Sequence, residues 1–217
     1  MISPKLNRRQ FTCFATGAAI ALHGVSALAQ SSAQSSTQSQ TRATVAKTPA
    51  ELGAFGGGAS WQLMGTGALR FFGFKAYDAN LWNSGPAAAG ANPFAAKGLY
   101  ALEIVYNTGI KAEEIVNVSL VEMARLRKLS EAQVKSWTTE MQRTFPSVVS
   151  GDRLTGLHVP KVGTRFFFNS RLISEINDPA FGDAFFAIWL DEGTKRADLR
   201  KQLLGQTVAA TAAPANN

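Results

Sequence analysis

The chain has 217 residues, with 22 Lys and Arg against 15 Asp and Glu, for a formal net charge of +7. One cysteine, Cys13, and two histidines exclude a disulfide framework and a cysteine–histidine metal site. No basic run interleaves with aromatics, which argues against nucleic acid as a partner. No stretch beyond residue 30 is long and apolar enough for a transmembrane helix, so no stable membrane anchor is expected there.

The N-terminus reads as an address. Asn7-Arg8-Arg9-Gln10-Phe11 is a twin-arginine signature, followed by an apolar run from Cys13 to Leu22 and by the small-residue cleavage site Ala27-Leu28-Ala29. The expectation is a signal peptide over 1–29, of twin-arginine or ordinary secretory type, cut near Ala29 for export to the periplasm. Cleavage removes Lys5, Arg8 and Arg9 and no acid, which lowers the net charge from +7 to +4, and takes Cys13 with it. Residues 30–50, rich in Ser, Gln, Thr and Ala, lack the apolar mass to pack and read as a flexible leader. Residues 207–217 read as a disordered tail. What remains, 51–206, is the size of one domain with one core.

The first half of that domain is strand-like. Trp61–Met64 leads into an expected turn at Gly65-Thr66-Gly67, and Ala68–Phe72 and Phe74–Trp82 follow, punctuated by Gly73. Neither this turn nor Gly56-Gly57-Gly58 is a phosphate cradle, since no Lys-Ser/Thr follows. Leu99–Asn107 is the clearest strand, with Tyr100, Leu102, Ile104 and Tyr106 on one face and Glu103 and Asn107 on the other. The middle is helical. One helix is expected from Lys111 to about Lys128, and a second begins at a Ser130/Gln133 capping box, buries Val134, Trp137, Met141 and Phe145, and stops before Pro146. Strands return at Arg153–Val159, Thr164–Asn169 and Arg171–Glu175, with Asn169-Ser170 as a hairpin turn. Asp178-Pro179 is an N-cap followed by proline at the first helical position, and Phe181, Ala184, Phe185 and Ile188 form the buried stripe of that helix. Thr194 is expected to cap a last helix that ends at Gly205. Strands, helices, strands and helices in blocks make an α+β pattern, with an antiparallel sheet covered by helices on one face.

Arg70 is the most informative residue. It lies in a run that otherwise reads as buried strand, and a desolvated guanidinium requires an internal acid or an anionic ligand. Its stem could instead cover apolar surface while its head pairs with Asp78 or Glu103. Tyr77 and Tyr106 offer hydroxyl donors, or are core tyrosines with the OH at a rim. Lys75 shares a strand face with Tyr77 and reads as a solvated edge lysine. His158 reads as a surface or strand-end histidine. Asp152, Asp178, Asp191 and Glu103 do not form a catalytic carboxylate pair. The Phe166–Phe168 and Phe185-Phe186 runs read as core, some of them lining a cleft if one exists.

Taken in order, Gly-x-Gly-x-x-Arg…Lys-x-Tyr at Gly65–Tyr77, then Tyr106, Phe145-Pro146…Gly151-Asp152 and Ile176-Asn177-Asp178-Pro179-Ala180-Phe181…Ile188-Trp189-Leu190-Asp191, this chain resembles the chalcone isomerase-like superfamily from about Gly53 to Leu204. The resemblance implies an open-faced β-sandwich, a large antiparallel sheet covered by helices with a ligand cleft between them. It also implies one of two behaviours: intramolecular closure of chalcones to flavanones, or fatty-acid binding without catalysis. Arg70 matches the arginine that meets the anionic part of the ligand, and Tyr106 matches the tyrosine that polarises the isomerase substrate's ketone through water. Those two would be the catalytic residues of an isomerase. Tyr77 stands where the isomerases carry a threonine and the fatty-acid binders a tyrosine, and Ile188 falls near a second isomerase Thr/Ser position. These departures favour a binder of a fatty acid or similar small amphiphilic anion, held by Arg70, Tyr77, Tyr106 and Ile188, with no cofactor and no metal. An isomerase of the chalcone type and a ligand-free accessory protein are the alternatives.

Overall fold

The computed structural model describes residues 46–55, 60–71, 73–85, 91–96 and 98–206. The signal peptide, its cleavage site, most of the leader, Gly56–Gly58 and the 207–217 tail lie outside the described residues. Six strands form one antiparallel sheet in chain order: β1 (Trp61–Phe71), β2 (Phe74–Ser84), β3 (Tyr100–Tyr106), β4 (Arg153–Val159), β5 (Gly163–Phe168) and β6 (Arg171–Ile176). Between β3 and β4 come the helices α1 (Ala112–Leu126) and α2 (Glu131–Thr144), and after β6 come α3 (Pro179–Leu190) and α4 (Ala197–Leu203). This is the expected α+β architecture. No described helix is long and apolar enough to cross a membrane.

The local signals account for most of the element boundaries. Ser130 Oγ accepts from Gln133 N at 3.2 Å while Gln133 Oε1 accepts from Ser130 N at 3.0 Å, so α2 starts on a reciprocal cap. Asp178 serves two helices: Oδ1 accepts from Ala180 N at 2.9 Å to cap α3, and Oδ2 accepts from Trp137 Nε1 at 2.8 Å to tie α2 to that same end. Asn169 and Ser170 both take positive φ, 48° and 67°, as a two-residue hairpin turn requires.

The inner sheet face and the helices share the main core, in which Tyr100, Phe166, Phe181, Phe186 and Leu190 are fully buried. A second cluster covers part of the outer face. There a short 3₁₀ helix, Ala50–Ala54, lays Leu52 against Trp82, Ala101, Leu157 and Phe167. Adjacent residues of the Phe166–Phe168 run thus enter different layers, and both layers are covered.

Four local expectations change. The Gly65-Thr66-Gly67 turn does not exist, because β1 runs straight through it. These glycines serve a close approach. A Cβ at Gly65 would overlap the Gln202 carbonyl oxygen, and one at Gly67 would lie 2.5 Å from Leu199 Cδ1, so α4 sits directly on the β1 backbone. Thr194 does not cap α4; Arg196 holds that position. Its hydroxyl instead donates to Ile188 O at 2.6 Å and accepts from Arg196 N at 3.2 Å, joining the end of α3 to the start of α4. His158 stands at the end of β4, as one half of its expectation had it, but is buried rather than surface-placed. Its ring stacks on Tyr100 at 4.6 Å between centroids, and Nδ1 lies 3.0 Å from Gly98 O. Packed chain also begins before residue 51: Pro49 is buried and Ala46 packs on the outer cluster.

Candidate functional site

A cavity of about 710 Å³ lies between the sheet's inner face and the helices α1 and α3. Its volume falls in the range of roughly 300–1,000 Å³ that small-molecule sites occupy. The sheet supplies Leu69 from β1, Tyr77 from β2, Ile104 and Tyr106 from β3 and Leu154 from β4. Ile115, Val118 and Ser119 of α1 and Phe185, Ile188 and Trp189 of α3 close it from above. Phe74, Lys75, Ala76, Asn107, Thr108, Ile110 and Glu114 complete the lining.

The apolar wall follows from the elements. Leu69 and Tyr77 are cross-strand partners, as are Tyr77 and Tyr106, so one row of the antiparallel ladder carries three cavity side chains. The two tyrosine rings meet edge to face with centroids 6.2 Å apart. On α3, Phe185, Ile188 and Trp189 stand at i, i+3 and i+4, one helical stripe over the cavity.

The hydroxyls differ. Tyr77 Oη accepts a hydrogen bond from Trp189 Nε1 at 2.9 Å. Tyr106, 4% exposed, has no side-chain hydrogen bond among the described residues, and its hydroxyl is left for whatever enters the cavity. Burial pushes the Tyr77 phenol up to about 12, opposed by the Trp189 bond and the charge of Arg196. Burial also pushes Tyr106 up, with Tyr77 adding to the effect. Both phenols therefore stay protonated, as donors, throughout the physiological range.

All three tyrosines of the chain are shifted in this direction, because burial raises Tyr100 as well. The folded state thus holds these protons more tightly than the unfolded chain does. Their contribution to stability is complete below about pH 10, the ordinary phenol value, and is lost as pH rises toward and through about 12. An ultraviolet titration is expected to show no phenolate absorbance at pH 10 and a steep rise that coincides with loss of the circular dichroism signal. Phenolate appearing at pH 10 in the folded protein would contradict this.

Of the sequence-derived site residues, the fold brings Tyr77, Tyr106 and Ile188 together around the cavity. It does not bring Arg70 with them. Arg70 is exposed, absent from the cavity wall, and sits opposite Lys75 at the turn end of the β1–β2 hairpin. The expectation of a desolvated guanidinium fails because Leu69 takes the inward place at this point of β1. A bulge between Leu69 and Arg70 then shifts the register. The two acids weighed as its partners are otherwise engaged. Asp78 binds Lys75 Nζ at 2.8 Å, while buried Glu103 accepts from Asn80 Nδ2 at 2.9 Å and pairs with Arg153 at 3.5 Å. Lys75 lines the cavity as well as pairing with Asp78, so it is more than a solvated edge lysine. Trp189 escaped the reading of α3, although its spacing of four from Phe185 carried the signal. Ser119, the buried polar residue of α1 in the wall, gave no sign. No group of three His, Cys, Asp or Glu among the described residues is placed to hold a metal ion.

The model of the chalcone isomerase-like family matches residues 42–205. The chain belongs to the chalcone isomerase-like family. A curated relative, an uncharacterized protein of Haemophilus influenzae, is 28% identical over 150 residues, which span 69% of this chain and 70% of that protein. Among solved structures, a fatty-acid binding protein of Arabidopsis thaliana superposes with a TM-score of 0.54 at 11% identity, covering 67% of this chain and 87% of that one. This last likeness establishes the family fold, the six-stranded sheet with its helical cover.

Proposed function

We propose that this member of the family binds a fatty acid or a similar small amphiphilic anion, with its chain lying in the cavity between the sheet and α1 and α3. The observation that carries the reading is the cavity itself: about 710 Å³, walled by Leu, Ile, Val, Phe and Trp side chains, with the Tyr106 hydroxyl, which has no partner among the described residues, beside Tyr77. Such a site suits a molecule with a long apolar part and one acceptor group. Tyr106 Oη donates to the carboxylate, while Tyr77 Oη accepts from Trp189 and turns its own proton toward the same group. Arg196, whose charge reaches Tyr77, and Lys75 on the wall supply the positive field. The solved fatty-acid binding protein that shares this fold supports the reading.

Binding is favoured over cyclisation by one placement: α3 presents Ile188 and Trp189 where an isomerase would want a hydroxyl. The exposure of Arg70 removes an expected contact from both readings. The twin-arginine signature and cleavage site lead us to infer export, so the ligand would be met in the periplasm.

The test is native mass spectrometry of the purified protein together with direct titration by a fluorescent fatty acid. Bound fatty acid is expected to copurify. Tyr106→Phe is expected to weaken the titration by roughly 10- to 100-fold, the range for losing a hydrogen bond to a charged group. A protein that carries no lipid and binds none in titration would sink the proposal.

A further inference from the structure

The cavity opens onto a surface that is apolar where a surface should be polar. Phe74, in the cavity wall at the β1–β2 hairpin, is 81% exposed, and Val118, in the wall on α1, is 64% exposed. Val121, one turn along α1 from Val118 and outside the wall, is 62% exposed. Single exposed apolar side chains are ordinary, but a group of them gathered at the mouth of an apolar cavity is not.

The hairpin side of this patch carries two cations, Arg70 and Lys75, while the α1 side carries Glu114 in the cavity wall. Arg70 and Lys75 are direct cross-strand partners on the same hairpin as Phe74, and like charges set opposite each other destabilise a strand pair. Lys75 is relieved by Asp78, at 2.8 Å. Arg70 remains exposed, with Glu103 committed to Asn80 and Arg153. An anion arriving at the hairpin tip would neutralise Arg70.

The geometry points to a membrane-docking face around the cavity mouth. Phe74, Val118 and Val121 enter the interfacial layer of a bilayer while Arg70 and Lys75 meet the phosphates of anionic headgroups. Docking places the mouth against the lipid, so a fatty acid passes between bilayer and cavity without crossing water. The transfer step rests on the fatty-acid reading above; the docking step does not.

The two are separated by testing docking first, without ligand. Protein purified from cells expressing the full chain and stripped of lipid is floated with vesicles of phosphatidylcholine, with and without phosphatidylglycerol. Wild type is expected to float with the phosphatidylglycerol vesicles. Phe74→Ser and Val121→Asp are expected to lose that binding. Arg70→Glu is expected to weaken it at least about fivefold at low salt, the worth of one basic side chain at an anionic surface. Circular dichroism of each variant confirms folding. Transfer of a fluorescent fatty acid from loaded protein is then followed against vesicle concentration. The rate is expected to rise with vesicle concentration for wild type and to become independent of it for Val121→Asp, a residue outside the cavity wall. Docking is overturned if wild type floats with neither vesicle, or if all three variants float as wild type does. Vesicle binding without any fatty-acid binding would leave docking standing and remove the ligand reading instead.

Discussion

From octanoate to laurate, affinity is expected to rise roughly 200-fold, about 0.8 kcal/mol or fourfold for each added methylene that leaves water. The slope comes from the wall, which takes its side chains mainly from Leu69, Ile104, Leu154, Phe185, Ile188 and Trp189 and offers a methylene little but apolar contact. The headgroup contribution from Tyr106 is constant along the series, so Tyr106→Phe displaces the whole line without changing its slope. The rise ends when the cavity of about 710 Å³ is filled, and longer acids then gain nothing or must leave carbons at the mouth beside Phe74. Isothermal titration along the series measures both slope and break. Equal affinity for octanoate and laurate would mean that the tail lies outside the cavity.

The largest loss of stability is expected from Gly163→Ala. Gly163 opens β5 with φ +146°, a conformation that L side chains rarely adopt, and a Cβ there would overlap the Ile176 carbonyl oxygen and lie 2.8 Å from Asp178 N. Both obstacles are backbone, so no rotamer change relieves them. They also belong to the crossing from β6 into α3, the segment whose Asp178 caps α3 and receives the Trp137 indole. The cost is about 3–5 kcal/mol, in the upper range for a single substitution, and thermal unfolding should fall by roughly 10 °C. Displacing the start of α3 also moves Ile188 and Trp189, so fatty-acid binding should weaken in the same variant. Gly53→Ala is the control: a Cβ at Gly53 meets nothing within 4 Å, and its melting temperature should match wild type. An unaltered melting curve for Gly163→Ala would mean that β5 and the β6–α3 crossing are not packed as described.

Much of this architecture can be read from short-range chemistry. The Ser130/Gln133 cap, the Asp178-Pro179 helix start and the alternation from Tyr100 to Tyr106 each act over a few residues, and each appears where those residues alone would place it. The glycines of Gly65-Thr66-Gly67 mislead for a physical reason. A glycine that reverses a chain and one that admits another backbone look alike until the other backbone, here that of Gln202, is in view. His158 misleads similarly: an imidazole between Tyr100 and Gly98 O is a tertiary fact with no local signature. At the cavity, alternation and helical spacing place Tyr77, Tyr106 and Ile188 on inward faces. They do not reveal the one-residue slip after Leu69, which is a matter of pairing between strands and decides where Arg70 stands.

The strap across the outer face has a practical corollary for anyone trimming the molecule. Leu52 is held there partly by Trp61, whose indole donates to the carbonyl oxygens of Leu52 and Phe55 at 2.7 and 3.0 Å, and Phe55 in turn lies edge-on to Phe167. A cut at residue 51, the boundary that composition alone suggests, would amputate Pro49 and Ala46 and loosen this fastening. Trp82, Leu157 and Phe167 would then lose part of their cover, and the shortened protein would tend to precipitate even though the cavity, on the opposite side of the sheet, had lost nothing.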